Sequence, residues 1–535
     1  MVRTFLNRNF VATILCLLVW SCGSEESLSP RTAEETVASF QLHPALQAEV
    51  FASEPLIRDP VEMVLDEDGR IFVAEMVDYP DYDPPEGQPP RSRVSLLEDR
   101  DGDGVIDHSS VFADQLLHAT SLLPWKGGLI VTSAPDILYL KDTDGDGKAD
   151  QREVLFTGFN DQVDPEGRIT NLRLSVDNWI YASNHGHEGT VRFLRDPEAP
   201  PVSVQGTDFR FRLDKGLFEA ASGPTQFGQG VDDWGNRFIT QNTIHVRHVV
   251  IPWRYLTRNL FLDPGNVSQD ISDHGRPAAR MFQLTAPQQW RVERTRMRQQ
   301  RYDEQGVDRV ELLSGYFTGA SGGTIYDGVS LGEEFRGNLF TGDVSGNLVH
   351  RDVLAPQGAT FVASRAPDEE EREFLASTDP WFRPCNFAVG PDGSLFIIDI
   401  YREFIETPAS IPEELKKNMD FHSGTDLGRI YRISRKGSGP YKTPQRLSEL
   451  DSSELVQLLS HENGWHRRTA HRLLLERADP GITPELRNVV HHGESPQARL
   501  YAAYLLESLD QVDEEIARKL INDPHPEVRR HGVLL

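Results

Sequence analysis

Two short loops hold the densest groups of potential metal ligands in this chain of 535 residues. They read DTDGDGKADQRE at 142–153 and DRDGDGVID at 99–107. Aspartates at alternate positions offer oxygens to one hard cation, and the glycine at the sixth position permits the sharp turn of a calcium loop. Both loops lie between strand-like runs, which indicates calcium-bound hairpins with a structural role. The ligands predicted on this basis are Asp142, Asp144, Asp146, Asp150 and Glu153 in one loop, and Asp99, Asp101, Asp103 and Asp107 in the other.

The alternative for both loops is an acidic turn that is simply solvated. The loop at 99–107 has Ser110 where the other loop has its closing glutamate. Without a cation, carboxylates that have no basic partner would repel one another at neutral pH.

Histidines near strand ends are the next candidates for chemistry. NHGH at 184–187 follows the apolar run WIYAS, and IHVRHVV places His245 and His248 three residues apart, on opposite faces of an extended segment. An imidazole can act as a general base near neutral pH. We predict His185 and His245 as catalytic residues beside Asn184. The alternative for each histidine is a structural role, with its ring hydrogen-bonded inside the fold.

The last candidates lie in PWFRPCNFAVGPDGSLFIIDIYREFIE, where Arg383 precedes a strand-like run and Arg402 follows it. A guanidinium can donate two parallel hydrogen bonds to a carboxylate, so these residues suit an anionic ligand or a quinone-type cofactor. Asn184, Arg383 and Arg402 are therefore the predicted cofactor-binding residues. The alternative is an ion pair between Asp399 and Arg402 that holds the edge of a sheet.

A recurring turn and strand must position these groups. DEDGRIFVAEM, KGGLIVTSA, VDNWIYASN, DDWGNRFITQN, FRGNLFTGD and PDGSLFIID recur about fifty to sixty residues apart, with one gap of about double that length. This period is typical of an all-β propeller, whose site lies at the mouth of the central channel. We predict six or seven blades over 40–435. The charged stretch QQWRVERTRMRQQRYDE, without strand alternation, is predicted to be an insertion or a helical excursion between blades, which explains the long gap.

From about residue 444 the apolar period changes to that of helices. Units of about thirty residues align on Leu474, Leu506 and Leu535, and each contains two short amphipathic helices. This pattern predicts an α-helical HEAT-like solenoid over 444–535. Its last helix is apolar and uncapped, so we expect the solenoid to continue past Leu535. Helices that close onto the propeller are the alternative.

The first residues predict export. Arg3 and Arg8 precede the short apolar run VATILCLLVW, which ends near Cys22 in a box similar to that of bacterial lipoproteins. Residues 1–22 are predicted to be a signal peptide, Cys22 the lipid-bearing residue and 23–39 a flexible tether. The predicted location is the bacterial cell envelope, as a periplasmic or outer-membrane lipoprotein. A plain secretory signal is the alternative.

Composition excludes several classes of function. A net charge of −27 argues against nucleic acid as a partner. Three cysteines, two of them in the leader, provide no disulfide framework. No Cys-x-x-Cys-His motif is present, so no haem is covalently attached in this chain. HExxH and phosphate-loop motifs are also absent.

Several unusual stretches carry a family resemblance. SGPTQFGQGVDDWGNRFITQNTIHVRHVV, TGASGGTIYDGVSLGEEFRGNLFTGD, WFRPCNFAVGPDGSLFIIDIYREFIETPASIP and LGRIYRI resemble the membrane-bound dehydrogenase domain of the large haem-binding proteins of Planctomycetes and Verrucomicrobia type. The resemblance covers about 40–433. It implies a propeller like that of glucose/sorbosone dehydrogenases, which bind pyrroloquinoline quinone (PQQ) and use a histidine as base, followed by HEAT-like repeats and a cytochrome c domain.

The resemblance implies an exported, lipid-anchored sugar or alcohol dehydrogenase subunit. It would oxidise a carbohydrate or another small molecule and pass electrons to a cytochrome c domain or partner. Two positions depart from the pattern: DPEGRITNLRLS lacks the histidine base, and Thr407 stands where a histidine is common. These departures favour the alternative of a non-catalytic propeller/HEAT scaffold that binds a glycan or a protein.

Overall fold

Six antiparallel sheets form a ring of blades in the computed structural model, which describes residues 29–259, 261, 266–276, 278–312, 315–417 and 419–535. The prediction of an all-β propeller is confirmed, with six blades. Blade 1 contains the strands Pro60–Leu65, Ile71–Glu75, Ser92–Glu98 and His108–Leu116, and blade 2 contains Ser121–Trp125, Gly128–Ser133, Asp136–Lys141 and Gln151–Thr157, extended by Thr190–Phe193 and Val202–Ser203. Blade 3 contains Thr170–Leu174, Ile180–Ser183, Asp208–Arg212 and Leu217–Ala221, and blade 4 contains Gln229–Val231, Arg237–Gln241, Ile244–Val249 and Ser268–Asp270. Blade 5 contains Ala320–Ile325, Leu339–Asp343, Leu348–Gln357 and Leu375–Ser377, with Phe40–Leu42 and Thr360–Arg365, and blade 6 contains Pro384–Val389, Leu395–Asp399, Arg429–Arg435 and Leu46–Ser53.

The recurring Asp-Gly turns connect the first and second strands of the blades. In blade 1, Asp66 accepts the amide N–H groups of Asp68 and Arg70, and Gly69 takes a φ of 78° that favours glycine. The second strands of blades 1 and 6 are buried along their whole length. Neighbouring blades cover both of their faces, which is why these strands are continuous apolar runs in the sequence.

The N-terminal segment closes the ring. Leu46–Ser53 pairs with Arg429–Arg435 and supplies the outer strand of blade 6. Before it, helix α1 (Ala33–Ala38) starts with a capping box between Thr32 and Glu35. The predicted tether therefore cannot extend to residue 39, because the chain is already folded against the propeller at α1. The predicted signal peptide at 1–22 lies outside the described residues.

The charged stretch before blade 5 is a helix, as predicted. Helix α3 (Gln289–Gln305) lies between the last strand of blade 4 and the first strand of blade 5, and it accounts for the long gap in the repeat. It ends at Gly306, whose φ is 65°. Two single-turn helices, α2 (Trp253–Leu256) and α4 (Glu413–Lys416), lie in other connections.

The C-terminal region contains six helices arranged as three pairs. The second helix of each pair contacts the propeller. That the array is HEAT-like stays a prediction. The pairs are α5 (Ser452–Leu458) with α6 (Gly464–Arg477), α7 (Thr483–His492) with α8 (Pro496–Ser508), and α9 (Glu514–Ile521) with α10 (Pro526–Leu534). Among the described residues, no helix has the length and apolar character needed to cross a bilayer.

The helical array is docked on the propeller and does not project as a separate arm. His471 contacts Asn178 at 2.9 Å between Nε2 and Oδ1, and apolar residues of both regions form one core cluster. In all six blades, the turn between the first two strands contacts the helical array. These contacts join Glu67 to Arg472, Lys126 to Glu476, Asn178 to His471, Asp233 to Arg467, Asp327 to Gly464 and Pro391 to Asn463. The array therefore covers the end of the channel at which the first strands finish.

Candidate active site

A cavity of about 520 Å³ lies at the other end of the channel, where the first strands begin. Its volume is in the range of small-molecule sites. All six blades contribute to its wall, together with α3 and the segment between the second and third strands of blade 6. Six arginines and four carboxylic acids line it, namely Arg168, Arg291, Arg294, Arg298, Arg309 and Arg383, and Asp164, Glu166, Glu311 and Glu406.

Helix α3 turns an arginine-rich face toward the cavity. Arg291, Arg294 and Arg298 recur at the spacing that places residues on one side of a helix. Nitrogens of Arg291 and Arg294 lie 3.3 and 2.7 Å from the same oxygen of Glu406. Arg298 donates to the carbonyl of Ser410 at 3.2 Å, and no described carboxylate lies within ion-pair distance of it. The helix thus brings more positive charge to the cavity than Glu406 neutralises.

Glu166 is the acid of the cavity wall whose pKa is raised toward neutral pH. The Tyr79 hydroxyl donates to its Oε1 at 2.5 Å. Removal from water raises the pKa of Glu166 to about 8, and the charges of Glu406 and Asp164 add to this rise. The Glu166 carboxyl is therefore largely neutral at pH 7 and able to take part in proton transfer slightly above it.

His185 and His187 converge on the backbone of Gly167. Their ring centroids are 4.8 Å apart, and His185 Nδ1 and His187 Nε2 are buried without a hydrogen-bond partner. A Cβ at Gly167 would lie 2.6 Å from His187 Nε2 and 3.1 Å from His185 Nδ1. Burial lowers the pKa of His185 to about 4 and also lowers that of His187, so both rings are neutral at pH 7.

Asn184, predicted to bind a cofactor, holds the loop that carries these rings. It is buried, and its Nδ2 donates to the carbonyl groups of His187, Val204 and Thr207. Its amide therefore points into the protein and supports the histidines from behind.

The two predicted arginines have different positions. Arg383 lines the cavity, but its guanidinium donates to the carbonyl oxygens of Val344, Arg402 and Glu403. Burial lowers the pKa of Arg383 to about 9, and no described carboxylate pairs with it at 4 Å or less. It therefore brings a second positive charge without a carboxylate partner to the wall.

Arg402 is fully buried behind the wall. Its Nε donates to Asp59 Oδ1 at 2.5 Å, which joins blade 6 to the start of blade 1. The alternative of an Asp399–Arg402 ion pair is wrong, because Asp399 accepts the backbone N–H groups of Arg383 and Tyr401 at the end of its strand.

The structure does not bring His245 to the cavity. This residue lies in the third strand of blade 4, with its Nε2 3.2 Å from Asp352 of blade 5. The shared site predicted for His185 and His245 is therefore wrong, because third strands lie farther from the channel than first strands. His248 points to the other face of the strand and contacts Thr360 at 3.0 Å, as the alternation predicts.

The two aspartate-rich loops do not line the cavity and lie between the third and fourth strands of blades 1 and 2. In each loop three carboxylates lie close enough to share a cation: Asp99, Asp101 and Asp103 in one, and Asp142, Asp144 and Asp146 in the other. Asp107 and Asp150 lie outside these groups and accept backbone N–H bonds within their loops. Glu153 does not close its loop, because it lies in a strand and both its oxygens accept from Arg195.

The fold and the site together define a six-bladed propeller with a charged cavity at one mouth and helices over the other. The chain belongs to the family described as Domain of unknown function (DUF7133), whose model matches residues 32–437. No curated protein matches the sequence.

Solved structures show a likeness in fold. A luciferin-regenerating enzyme is 10% identical, covering 75% of this chain and 99% of that one, with a TM-score of 0.40. A glucose dehydrogenase is 14% identical, covering 72% and 98%, with a TM-score of 0.40. The PQQ domain of pyranose dehydrogenase from Coprinopsis cinerea is 12% identical, covering 74% and 97%, with a TM-score of 0.37. These likenesses concern the fold alone.

Proposed function

We propose that the cavity binds an anionic small molecule and that the protein is a sugar or alcohol dehydrogenase with a carboxylated quinone cofactor of the PQQ type. The charge of the cavity carries this proposal. Six arginines face four acids, and one of these acids, Glu166, is largely neutral at pH 7. Charge that is removed from water without a partner is costly, so a ligand with carboxylates would stabilise this wall.

The residues present fit a carboxylated quinone. Arg291 Nε is buried without a hydrogen-bond partner, and Arg298 has no carboxylate partner among the described residues. Arg291, Arg294 and Arg298 would hold the carboxylates of the cofactor through bidentate or single hydrogen bonds. When bound, such a quinone accepts the hydride of an alcohol.

Glu166 is the proposed general base. Its carboxylate form would accept the proton of a substrate hydroxyl, and a pKa of about 8 suits proton transfer near neutral pH. Tyr79 orients the carboxyl group through its hydrogen bond. Glu166 also lies in DPEGRITNLRLS, the segment in which the resemblance expects a histidine base.

His185 and His187 are proposed to bind substrate hydroxyl groups. Both rings are neutral, and each presents one buried nitrogen that has no partner. With a pKa of about 4, His185 is a weaker base than Glu166, so positioning suits it better than proton abstraction.

Calorimetric titration of the purified protein with PQQ tests the proposal. We expect binding to the wild type and about 10-fold to 100-fold weaker binding to Arg298→Met, because a hydrogen bond to a charged group contributes about 1.5–3 kcal/mol. Arg296→Met is the matched control, since Arg296 lies on the same helix but is exposed and paired with Glu293. Binding is then followed by a turnover assay with a dye acceptor and a panel of sugars and sugar acids. Absence of PQQ binding would contradict the dehydrogenase proposal.

A non-catalytic module that binds an acidic glycan is the second candidate. The same positive wall would recognise the carboxylate of a uronic acid without redox chemistry. Binding of a sugar acid in the absence of PQQ, with no turnover in its presence, would favour this candidate over the dehydrogenase.

We also propose that Ca²⁺ binds both aspartate-rich loops and stabilises their hairpins. Excess Ca²⁺ is expected to raise the melting temperature by about 5 °C, since two sites at a hundredfold excess over Kd contribute about 2.7 kcal/mol each. Asp144→Asn should remove about half of this shift, whereas Asp196→Asn, an exposed aspartate outside the loops, should not change it. Scanning calorimetry with Ca²⁺ or a chelator gives the answer, and an unchanged melting temperature would count against both sites.

Export and electron transfer complete the proposal. Electrons from a reduced quinone need an acceptor, for which we propose a cytochrome c domain or partner. Anchoring would be through a lipid on Cys22, outside the described residues. In a bacterial host, Cys22→Ser should move most of the protein from the membrane pellet to the soluble envelope fraction, while Cys16→Ser should not. Equal fractionation of the two variants would argue against the anchor.

A further inference from the structure

We propose that His245, His274, His350 and Asp352 form a closed, structural Zn²⁺ site that joins blades 4 and 5. His245 comes from the third strand of blade 4, and His274 from the segment that follows its fourth strand. His350 and Asp352 are two residues apart in the third strand of blade 5, so their side chains share one face. The site lies outside the cavity and does not depend on the dehydrogenase proposal.

The spacing of the side chains suits one small cation. The Nε2 atoms of His245, His274 and His350 lie 3.2, 3.7 and 3.4 Å from oxygens of Asp352. One ligand atom from each of the four residues lies within 4.8 Å of the others. All three imidazoles point the same nitrogen, Nε2, at the same carboxylate.

The ring positions give an independent measure. A Zn–N bond of about 2.1 Å puts each imidazole centroid about 3.2 Å from the metal, and tetrahedral angles then separate two centroids by about 5.2 Å. The three centroid distances among His245, His274 and His350 are 5.1, 5.1 and 5.2 Å. The rings therefore already stand at the separation that tetrahedral coordination requires.

The protein alone leaves these ligand atoms unsatisfied. The Nε2 atoms of all three histidines and both oxygens of Asp352 are buried and make no hydrogen bond of acceptable geometry. His245, His350 and Asp352 are each no more than 1% exposed. Buried polar atoms without partners are rare and costly, and five around one point indicate a cation site.

Two acidic residues that are not metal ligands hold two of the imidazole rings in the orientation that metal binding needs. His350 Nδ1 contacts Glu373 Oε2 at 2.8 Å, and His274 Nδ1 contacts Asp273 Oδ1 at 3.0 Å. Hydrogen bonds of this kind fix the tautomer so that Nε2 is free for a metal. Phe317 stacks on His245 with centroids 4.7 Å apart and helps to exclude water.

The donor set selects the metal. Three imidazoles and one carboxylate suit a transition metal such as Zn²⁺, whereas Ca²⁺ and Mg²⁺ prefer ligands that are all oxygen. Four protein ligands complete a tetrahedron, which is typical of structural and not catalytic zinc. A metal here would connect two blades at the point where the ring is interrupted by the long insertion that contains α3.

Metal analysis of the purified protein is the first test. We expect one equivalent of zinc per chain by mass spectrometry, and one equivalent of Co²⁺ bound by the metal-free protein with the intense visible absorption of a tetrahedral site. Zn²⁺ should also raise the melting temperature of the metal-free protein. If neither Zn²⁺ nor Co²⁺ binds the metal-free wild type stoichiometrically, the proposal is overturned.

Substitutions locate the metal. His274→Gln and Asp352→Asn should each lose stoichiometric zinc and weaken Co²⁺ binding by more than about 100-fold, since loss of a residue that only orients a ligand already costs about 10-fold to 100-fold. His248→Gln is the matched control, because it changes a histidine of the same strand that points to the opposite face. Unchanged binding in both ligand variants would refute the site. If those variants do not fold, the Co²⁺ spectrum of the wild type decides, and a spectrum of six-coordinate type would reject the site.

Discussion

Glu166→Gln is expected to lower kcat for a hydroxyl substrate by about 100-fold to 10,000-fold, the usual contribution of general acid–base catalysis. The amide has nearly the shape of the acid but cannot accept a proton. PQQ binding should change little, because the cofactor is proposed to be held by the arginines of α3 and not by Glu166. Steady-state kinetics with a dye acceptor, combined with calorimetric titration of PQQ, separates these two effects.

The pH dependence supplies the control. A base must be ionised to act, so the wild-type rate should be low below the pKa of Glu166 and rise with pH through about 8. Glu166→Gln should lose this rise, whereas Glu188→Gln, an exposed residue next to His187, should keep it. If the rise persists in Glu166→Gln, another group is the base and our assignment is wrong.

The sequence predicts the scaffold well because the signals for it are local. Each Asp-Gly turn and its apolar strand lie within about ten residues, so their period could be recognised without any tertiary information. The change of period before α3 marks the insertion for the same reason. Alternation along one strand also predicts correctly that His245 and His248 point to opposite faces.

The site is assembled from distant segments, which is why the sequence did not reveal it. Tyr79 follows the second strand of blade 1, Glu166 precedes blade 3, and Glu406 lies between the second and third strands of blade 6. Only closure of the ring brings them to one cavity. The arginine spacing of α3 was a usable signal, since Arg291, Arg294 and Arg298 mark one helical face. The proposed zinc ligands show the same limit, because no motif connects His245 and His274 to the pair in blade 5.

From the sequence, docking of the helices onto the propeller was only the alternative to a solenoid, and the reason is a different one. The side of α6 that meets the propeller carries Arg467 and Arg472, which sequence patterns assign to solvent. In the structure, Arg467 pairs with Asp233 and Arg472 with Glu67, both at 2.6 Å between nitrogen and oxygen. A buried face built from ion pairs lacks the apolar stripe by which a helix interface is recognised.

Arg402→Met is expected to lower the free energy of unfolding by about 3–5 kcal/mol, because removal of one partner leaves a buried charge uncompensated. Arg402 and Asp59 are both fully buried. The measurement belongs at pH 8, where the wild-type pair is largely charged although burial raises the pKa of Asp59 to about 7. Urea unfolding with an unchanged m-value would show that stability alone has changed.

Two comparisons decide whether Arg402 is structural or binds the cofactor. Arg298→Met should change stability by less than about 1 kcal/mol, since that residue has no carboxylate partner to leave behind, yet it should lose PQQ affinity. The double variant Asp59→Asn/Arg402→Met should regain part of the stability, because neutralising both partners removes the orphaned charge. Asparagine is chosen because Asp59 has a φ of 46°, which asparagine tolerates better than most residues. If folded Arg402→Met keeps wild-type stability but loses PQQ binding, the arginine belongs to the site after all.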